Sequence, residues 1–428
     1  MTPPPIPLGQ GVTRVGRVVN PPEHSCFGNQ GPEVTMCDAA ARPPSPDQPL
    51  KGHEGSQWAN LSVLLIDEPK SYQQAKVSPH WSDWKNAMDD KLKSLKENDV
   101  WDVIPKPVER KIVVSRSVFK AKGNAQGEVK RYKAREVAKG FWQILGQDCA
   151  DIFAPVVRYN SLGLLLAISA CKGWRPWQLD VKTAFLYGIL KEEVIMDLPE
   201  GSRLDGMVAK LTRCIYGLKQ SPREWYYRLV EHIGPFGFVI TTWDPCVLVH
   251  ETGNLFWAIY VDDITLFGAA GEVKEQTINI LKTEFKVNDM GELNWFLEIQ
   301  ITFTDDGITL SQPTFIDTIL NCCSMQNWKP VSPPINPNDL LKAIEVDEQS
   351  TDATAYQQIF GSLMYLVTGT KPDLAYTITH LSQIISSPSI AHLTAIKREL
   401  WYLQGTKDRH LVYPWNNQLK MTANTDAS

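Results

Sequence analysis

The pattern of apolar and polar residues predicts ordered structure from about residue 79 onward. Ser82 can cap a helix, and an apolar stripe follows it at helical spacing: Trp84, Ala87, Met88, Leu92 and Leu95. The next segment, VWDVIPKP (100–107), is typical of a short strand that two prolines end. The fold is therefore expected to begin with a helix and a strand.

Helices and strands are predicted to alternate over the rest of the chain. Two strands at 112–122 and 129–141 are expected to form a hairpin around the glycine-containing segment GNAQG (123–127). The further predicted elements are a helix at 161–171, a buried strand WQLDVKTAFL at 177–186, a helix at 223–233, apolar strands at 256–260 and 264–268, strands within WFLEIQITF (295–303), a helix after Gln312, a helix-rich segment at 356–406 and a new pair of strands at 411–414 and 419–426. No internal repeat is evident among them.

The N-terminal segment lacks such a pattern and is rich in proline. Residues 1–50 hold 11 of the 29 prolines of the chain. A segment of this composition cannot bury enough apolar surface to offset its chain entropy, so residues 1–76 are predicted to be a disordered lead-in. The simpler interpretation of this lead-in is a tail with no function of its own. A second proline-rich stretch, VSPPINPND (331–339), predicts a linker.

Composition narrows the class of protein. A chain of 428 residues suggests two to three domains at about 150 residues each. The content of 43% hydrophobic and 10% aromatic residues excludes a wholly disordered or fibrous protein. The longest apolar run, at 162–171, is much shorter than the roughly 20 residues of a membrane-spanning helix. The N-terminus has no apolar signal core and the eight cysteines lack paired metal spacing, so we expect a soluble intracellular protein with reduced thiols.

Positive charge is concentrated between residues 106 and 139. This stretch holds 11 Lys and Arg residues against three Glu residues, a local net charge of +8 in a chain of net charge −5. Such a separation of charge suggests a face that binds a polyanion. A solvated hairpin with charged edges would have the same composition, so both interpretations stay open at this point.

Three aspartates are the strongest candidates for chemistry. Asp262 and Asp263 lie in YVDD (260–263) between two apolar strands, and Asp180 is a lone acid in an apolar strand. Aspartate is common in hairpin turns, but a buried carboxylate is costly without a positive partner. A divalent ion shared by neighbouring strands would be such a partner, and oxygen-only ligands select Mg²⁺ or Mn²⁺. Mg²⁺ held by few carboxylates is typical of phosphoryl and nucleotidyl transfer.

The motifs of several other chemistries are missing from the sequence. There is no glycine-rich phosphate loop that ends in Lys-Ser/Thr, no Gly-x-Ser-x-Gly sequence, and no His-Glu-x-x-His sequence among the eight histidines. A P-loop NTPase is therefore excluded. Because the other two motifs are also missing, the sequence gives no support to a serine hydrolase or a zinc protease.

A series of motifs resembles one known family. The motifs are WDVIPKP (101–107), RYKAREVAKGF (131–141), FAPVVR (153–158), LDVKTAFLYG (179–188), YGLKQSPR (216–223), YVDDI (260–264), GELNWFLEI (291–299), GSLMYL (361–366) and YLQGT (402–406). With these motifs in this order, the chain resembles the reverse transcriptase of copia-type retrotransposons, a part of a Pol polyprotein. The resemblance covers about residues 80–428.

The resemblance implies an α+β fold of the right-hand polymerase type, with fingers, palm and thumb, then a connection region and a truncated start of an RNase H-like domain. The implied boundaries are 1–76 for the lead-in, 77–330 for fingers, palm and thumb, 331–345 for the linker, and 346–428 for the connection region with the RNase H-like start. Asp426 matches the first RNase H carboxylate, but the sequence ends before the other acids of that domain. Asp426 is therefore at most a vestige, and RNase H activity is not expected.

The resemblance also implies an RNA-directed DNA polymerase. Asp180 and Asp262 match the principal ligands of two Mg²⁺ or Mn²⁺ ions, and Asp263 matches the third acid. One ion would lower the pKa of the primer 3′-hydroxyl, and the other would stabilise the leaving pyrophosphate. The implied partners are an RNA template, a DNA primer, dNTPs and other Pol or Gag products, with no membrane. The implied location is a cytoplasmic particle or the nucleus.

The same motifs imply residues that bind the incoming nucleotide. Arg135 matches the arginine that grips the triphosphate, with Lys133 or Lys122 as a second contact. Phe185 matches the aromatic residue that excludes a ribose 2′-hydroxyl, although plain core packing stays open for it. Gln220 matches the residue that lies against the incoming sugar and the template base.

Template and primer contacts are assigned to the basic segment and to one hairpin. We expect phosphate contacts, weakened by salt, from these basic residues: Lys120, Lys122, Arg131 and Lys139. The motif GELNWFLEI resembles the hairpin that holds the primer end, and its predicted primer contacts are Trp295, Phe296, Leu297 and Glu298.

Several positions depart from the family pattern. The primer hairpin usually reads Phe-Leu-Gly, and Glu298 replaces the glycine, which would bring a carboxylate near a primer phosphate and block close backbone approach. The other departures are Glu136, Gly163, Trp401, Lys371 and Cys149. Three hypotheses therefore stay open: an active polymerase, an inactive relic that only binds nucleic acid, and a fragment without a stable fold.

Overall fold

A computed structural model describes residues 68–123, 129–332, 334 and 352–415. These residues form both helices and antiparallel strands, so the mixed architecture expected from the sequence is confirmed. The α-helices are α1 (Tyr72–Val77), α2 (Trp81–Glu97), α3 (Tyr159–Lys172), α4 (Ser221–Ile233), α5 (Glu272–Glu284), α6 (Pro313–Cys322), α7 (Ala353–Gly369), α8 (Ala375–Ser382) and α9 (Ile390–Thr406). The strands are β1 (Trp101–Pro105), β2 (Ser115–Gly123), β3 (Val129–Ala138), β4 (Trp177–Val181), β5 (Ile189–Met196), β6 (Met207–Arg213), β7 (Phe238–Ile240), β8 (Val247–His250), β9 (Leu255–Tyr260), β10 (Asp263–Gly268), β11 (Val287–Glu292), β12 (Trp295–Phe296), β13 (Ile299–Phe303), β14 (Gly307–Ser311) and β15 (Leu411–Pro414).

The strands of the described residues pair into four sheets. The largest has six strands in the order β11-β4-β10-β9-β8-β7. A three-stranded sheet has the order β1-β6-β5, a four-stranded sheet has the order β12-β13-β14-β15, and β2 and β3 form a two-stranded ribbon. In the six-stranded sheet, β4 and β10 are neighbours although they are far apart in the chain, and this brings Asp180 close to the YVDD segment.

The largest core joins the six-stranded sheet to helices α3, α4 and α5. Its bulkiest fully buried side chains include Trp225 of α4, Trp257 of β9 and Phe267 of β10. Helix α3 ends at Gly173, whose φ of 66° is the left-handed cap conformation that glycine adopts without steric cost. Each large apolar side chain contributes about 1.5–3 kcal/mol on burial. The candidate aspartates therefore lie on a sheet that a large core stabilises.

Three smaller cores hold the other elements together. Helices α1 and α2 share a core with the β2-β3 ribbon, in which the rings of Trp84 and Phe119 meet edge to face with centroids 5.5 Å apart. Leu95 of α2 also packs into the core of the β1-β6-β5 sheet. Helices α6 to α9 pack around Tyr356 and Leu403. Helix α2 therefore ties the ribbon to the three-stranded sheet.

The N-terminal boundary of the fold differs from the prediction. The amphipathic stripe of α2 is confirmed, but the cap residue of this helix is His80, and Ser82 lies exposed in the first turn. Helix α1 begins at Tyr72, inside the segment 1–76, so ordered structure begins before residue 77. The side chain of Ser71 caps α1 by accepting a hydrogen bond from the amide of Gln74, a local signal in a segment whose composition favours disorder. The lead-in up to residue 67 lies outside the described residues.

One strand prediction is corrected, and a second is confirmed for one of its two strands. The strand predicted at 177–186 ends at Val181, because Thr183 adopts a φ of 54° and Ala184–Tyr187 forms a 3₁₀ turn. The predicted strand at Leu411–Pro414 is present and pairs with β14. Its predicted partner at 419–426 lies outside the described residues, as do Asp426 and most of the predicted linker at 331–345. Among the described helices, none is long and apolar enough to cross a membrane.

Candidate active site

Asp180 and Asp263 lie directly opposite each other on neighbouring strands. Strand β4 carries Asp180, strand β10 begins at Asp263, and the antiparallel register pairs these two residues. Residues paired in this way have Cβ atoms about 4.5–5.5 Å apart on one face of the sheet. The prediction that Asp180 and the YVDD segment lie on adjacent strands is confirmed.

The YVDD segment forms a two-residue hairpin turn. The pairing of β9 with β10 leaves Val261 and Asp262 as the loop. Val261 has a φ of 53°, a left-handed conformation that is strained for a β-branched residue. Its carbonyl oxygen accepts a hydrogen bond from the indole of Trp225 at 2.8 Å, and the carbonyl oxygen of Asp262 accepts one from the amide of Val181 at 2.8 Å. These two bonds hold the strained turn and fix the backbone of Asp262.

The carboxylates have different hydrogen-bond partners. Oδ2 of Asp180 accepts a hydrogen bond from the side-chain amide of Asn288 on β11 at 2.9 Å. Oδ2 of Asp262 accepts one from the hydroxyl of Tyr216 at 3.0 Å. Oδ1 of Asp262 is buried and has no hydrogen-bond partner within the described part of the chain. Because a buried oxygen without a partner costs free energy, Oδ1 is the atom at which a further positive group would stabilise the site most.

Burial makes the carboxyl groups of the turn hard to ionise. It raises the pKa of Asp262 to about 6, and the charges of Asp263 and Asp180 add to this rise, whereas the Tyr216 hydroxyl and Arg135 oppose it. Burial also raises the pKa of Asp263 to about 6, with the charge of Asp180 adding to the effect. Poorly solvated like charges are stabilised by a cation between them. The electrostatics of the site therefore favour a bound positive ion.

The chemistry of the donor atoms fits a hard divalent cation. The candidate ligands are carboxylate oxygens, which favour Mg²⁺ or Mn²⁺. Within residues 68–123, 129–332 and 352–415, no group of three or more His, Cys, Asp or Glu side chains is arranged to hold a metal ion on its own. Mg²⁺ is commonly bound by one or two carboxylates, with water and substrate phosphates as its other ligands. The residues present therefore fit an ion that binds together with a phosphate-bearing substrate.

The side chain of Tyr216 contacts or lies near side chains from several elements at the site. Its ring centroid lies 4.6 Å from that of Phe185, and its hydroxyl contacts Asp262. The guanidinium carbon of Arg135 on β3 lies 5.8 Å from the Tyr216 ring centroid, and Nζ of Lys91 on α2 lies 5.9 Å from it. Tyr216 therefore links α2 and the β2-β3 ribbon to the YVDD turn.

Positive charge gathers on the ribbon side of Tyr216. Burial, together with the nearby charges of Lys133 and Arg135, lowers the pKa of Lys91 to about 8. Three cations this close together would attract a polyphosphate. Lys91 was not predicted, because it lies in a helix without a motif and only the packing of α2 against β3 reveals its position. Tyr216 could have been found as the polar aromatic residue at the start of YGLKQSPR.

Two residues predicted to contact the nucleotide are buried. Phe185 is 4% exposed and packs against Tyr216, in accord with the core-packing interpretation. Gln220 is fully buried, accepts a hydrogen bond from Nε2 of Gln143 at 2.9 Å, and donates one to the carbonyl oxygen of Asp148 at 2.8 Å. The amide of Gln220 is therefore bonded within the protein, and its contact with a nucleotide stays a prediction. Gln220 is the cap residue of α4 and its side chain is buried, whereas Tyr216 lies beside the aspartates.

The hairpin of β12 and β13 lies close to the YVDD turn. The ring of Phe296 is buried, and its centroid is 6.2 Å from that of Tyr260, the last residue of β9. Leu297 and Glu298 form a two-residue loop in which both φ angles are positive, 50° and 56°, as a type I′ turn requires. Glu298 is exposed, and Trp295 is 36% exposed. The hairpin is therefore present, and its contact with a primer stays a prediction.

The other predicted phosphate contacts lie on or beside the ribbon. Lys120 forms an ion pair with Glu68, with Nζ and Oε2 2.9 Å apart. Arg131 on β3 is exposed, and Lys139 directly after β3 is half-buried. The side chain of Lys122 lies outside the part of the chain that the structure describes.

Comparison with known proteins identifies a family. The family model for reverse transcriptase (RNA-dependent DNA polymerase) matches residues 98–337, more than half of the chain. The matched range includes Asp180, Asp262 and Asp263.

Similar proteins are parts of transposon polyproteins. The retrovirus-related Pol polyprotein from transposon RE1 of Arabidopsis thaliana is 36% identical over 373 residues, which are 86% of this chain and 25% of that protein. The corresponding polyprotein from transposon TNT 1-94 of Nicotiana tabacum is 34% identical over 369 residues, 82% of this chain and 28% of that protein. The chain thus spans about a quarter of the length of these relatives. Among solved structures, a foamy viral protease-reverse transcriptase in complex with double-stranded DNA is similar with a TM-score of 0.38 and 16% identity, covering 76% of this chain and 48% of that one.

Proposed function

The chain belongs to the reverse transcriptase family, and we propose that it is an RNA-directed DNA polymerase that adds deoxynucleotides to the 3′-hydroxyl of a primer. The observation that carries this proposal is the register that pairs Asp180 with Asp263, next to the strained turn that holds Asp262. The family match confirms the resemblance drawn from the motifs, and Pol polyproteins of transposons are similar over most of the chain.

The three aspartates Asp180, Asp262 and Asp263 would hold two divalent ions, Mg²⁺ or Mn²⁺. Bound there, such ions lower the pKa of the primer hydroxyl and neutralise charge on the leaving pyrophosphate. The protein itself orients the carboxylates. Asn288 holds Asp180 through a hydrogen bond, and Trp225 holds the turn that carries Asp262. These hydrogen bonds restrict how far the ligands can move before the ions bind.

The triphosphate of the incoming nucleotide would bind on the ribbon side of the site. Arg135 suits this role, because a planar guanidinium can bind two phosphate oxygens at once. Lys133 and Lys91 add positive charge beside it, as the lowered pKa of Lys91 supports. The ring of Tyr216, supported by Phe185, would face the sugar of the nucleotide.

The elements can be assigned to the parts of a right-hand polymerase in this proposal. The six-stranded sheet is the palm, α2 and the β2-β3 ribbon belong to the fingers, the β12-β13 hairpin holds the primer end, and α6 to α9 form the thumb and connection. Phosphates of template and primer would bind basic side chains on or beside the β2-β3 ribbon, so that affinity falls with salt. These side chains are Lys120, Lys122, Arg131 and Lys139.

One observation favours a second function, nucleic-acid binding without catalysis. Glu298 is exposed in the loop of the primer hairpin. A carboxylate at this place repels a primer phosphate. A chain that binds template and primer but does not extend the primer is therefore the alternative.

Primer extension distinguishes the two functions. The purified chain is incubated with an RNA template, an annealed DNA primer, dNTPs and Mg²⁺ or Mn²⁺. Extension by the parent chain and its loss in Asp262→Asn are the expected results. Asp305→Asn removes the same charge from an exposed position between β13 and β14 and should extend normally. Unchanged extension by Asp262→Asn would contradict the site, and extension only after Glu298→Gly would support the second function for the parent chain.

A further inference from the structure

Four large apolar side chains lie exposed in the loop after β3. Phe141, Trp142, Ile144 and Leu145 are 49%, 42%, 40% and 70% exposed. We call these four residues the apolar platform. Single exposed apolar residues are ordinary, but an exposed group of neighbours marks a surface that another molecule covers.

The apolar platform is held rigidly from below. Gly140 at the start of its 3₁₀ turn lies so close to Gly217 that a Cβ at Gly140 would come within 2.1 Å of the Gly217 carbonyl oxygen. Gln143 is buried, accepts a hydrogen bond from the amide of Lys219 at 2.8 Å, and donates one to Gln220 at 2.9 Å. The buried Gln143–Gln220 pair thus anchors the loop and leaves the apolar side chains outside. The exposure of these four apolar side chains therefore follows from how the loop is anchored.

Positive charge surrounds the apolar platform. Nζ of Lys111 lies 4.7 Å from the ring centroid of Trp142, a cation–π contact. Lys139 directly precedes the 3₁₀ turn, and the exposed Lys219 is bound through its backbone at the base of the loop. The loop carries two acids. Asp148 is buried and accepts a hydrogen bond from the amide of Ile144, and the exposed Asp151 forms an ion pair with Arg223 at 3.2 Å. The surface therefore combines aromatic rings with cations.

We propose that the apolar platform stacks the unpaired bases of a single-stranded template beside the active site. Aromatic rings bordered by cations are the means by which proteins bind single strands without regard to sequence, because every base has a π-face. The position of the apolar platform also supports this proposal. Gly140 at its start packs against Gly217, and Gly217 follows Tyr216, whose hydroxyl contacts Asp262. This inference rests on the proposed function and adds to it a site for the template strand before it is copied.

Binding measurements without catalysis test this proposal. Two hairpin duplexes with the same RNA–DNA stem are compared in EDTA, one blunt and one with a 5′ RNA overhang of about six nucleotides, within the usual site size for single strands. Dissociation constants are measured by fluorescence anisotropy for the parent chain, for Trp142→Ala and for Trp142→Phe. Trp243→Ala is the matched control, because Trp243 is 43% exposed between β7 and β8.

The overhang should raise the affinity of the parent chain about 10-fold, the effect of stacking one or two bases. Trp142→Ala should lose most of this gain and leave the affinity for the blunt duplex unchanged, whereas Trp142→Phe and Trp243→Ala should retain the gain. Lys111→Gln should lower the slope of log affinity against log salt by about one for the overhang substrate. Equal affinities of Trp142→Ala and the parent chain for the overhang substrate would overturn the proposal.

The result for the blunt duplex separates this proposal from the proposed function. A parent chain that binds the blunt duplex but gains nothing from the overhang defeats the platform proposal alone. A parent chain that binds neither substrate defeats both. Sedimentation of the free chain supplies a further outcome: if Trp142→Ala converts a dimer to a monomer and leaves the overhang gain intact, the platform is an interface between copies and the proposal is wrong.

Discussion

The hydroxyl of Tyr216 donates a hydrogen bond to Oδ2 of Asp262 across 3.0 Å. The same ring packs on Phe185 and lies near the cations of Arg135 and Lys91. One side chain therefore contacts the carboxylate that is proposed to bind metal and also borders the region proposed for the triphosphate. The ring and the hydroxyl can be tested separately.

Tyr216→Ala should weaken nucleotide binding more than Tyr216→Phe does. Phenylalanine keeps the aromatic surface and loses only the hydroxyl, whereas alanine also loses the packing on Phe185, worth about 0.5–1.5 kcal/mol. We expect KM for dNTP to rise up to about 10-fold in Tyr216→Ala and less than about 3-fold in Tyr216→Phe. Steady-state incorporation of one nucleotide measures both. Equal effects of the two substitutions would mean that the hydroxyl, and not the ring, matters.

Gln220→Leu should reduce stability and leave nucleotide binding unchanged. Leucine has a similar size, but it removes one hydrogen bond from the Gln143 amide and one from the Asp148 carbonyl, which then keep only the longer bond to each other at 3.3 Å. Each hydrogen bond lost costs about 0.5–1.5 kcal/mol. Urea denaturation measures the loss, and KM for dNTP is the second readout. The exposed neighbour Lys219→Ala is the control and should unfold like the parent chain. A large rise of KM in a stably folded Gln220→Leu would instead support the nucleotide contact predicted from the motif.

The sequence predicted which aspartates come together on neighbouring strands, but it did not predict every residue around them. Asp180 and the YVDD turn were predictable, because acids in apolar strands are rare and strands of this kind pair with each other. The YGLKQSPR motif names the segment at the site, but it does not tell which of its side chains faces the aspartates. That depends on how the chain turns into α4, which buries Gln220 and leaves Tyr216 at the site.

Non-local contacts account for the remaining differences between the sequence-based predictions and the structure. Lys91 comes near Tyr216 only because α2 packs against the ribbon, a contact that no local pattern encodes. In the same way, β15 pairs with β14, a strand about a hundred residues earlier in the chain. Apolar alternation predicts that such a strand exists, but it does not specify the partner.

Glu298→Gly should stabilise the protein. Glu298 and Leu297 both adopt positive φ angles in the hairpin loop, and a left-handed conformation costs a residue other than glycine roughly 1 kcal/mol. We expect the free energy of unfolding to rise by about 0.5–1 kcal/mol, because the gain is partly offset by the entropy that glycine adds to the unfolded chain. Urea denaturation measures it, and affinity for a primed template should rise with removal of the charge.

Gln300→Gly is the matched control for the hairpin. Gln300 is exposed on β13, two residues away, and pairs with Trp295 in regular antiparallel register. Glycine brings no conformational gain at a regular strand position, so this variant should lose about 0.5–1 kcal/mol. A loss of stability in both variants would contradict the strain assigned to Glu298.

Glu399 should make the stability of the protein depend on pH. This residue of α9 is fully buried, and burial raises its pKa from 4.5 to about 7, with the charge of Asp373 adding to the rise and Thr377 and Arg398 opposing it. Between these two values the folded chain holds a proton that the unfolded chain has released, so the free energy of unfolding falls as pH rises through this window. The loss amounts to about 3 kcal/mol once the pH exceeds the folded-state pKa.

Glu399→Gln removes this titration and should make the parent chain and the variant diverge with pH. The difference in the free energy of unfolding, variant minus parent, should be about 3 kcal/mol larger at about pH 8 than at pH 4.5, because only the parent chain must ionise a buried group. Urea denaturation at both pH values measures the difference. Glu231→Gln, at a largely exposed position on α4, is the control and should show no such divergence. If the Glu399→Gln difference is the same at both pH values, Glu399 ionises in the folded protein as readily as in the unfolded chain, and another group must account for any pH dependence.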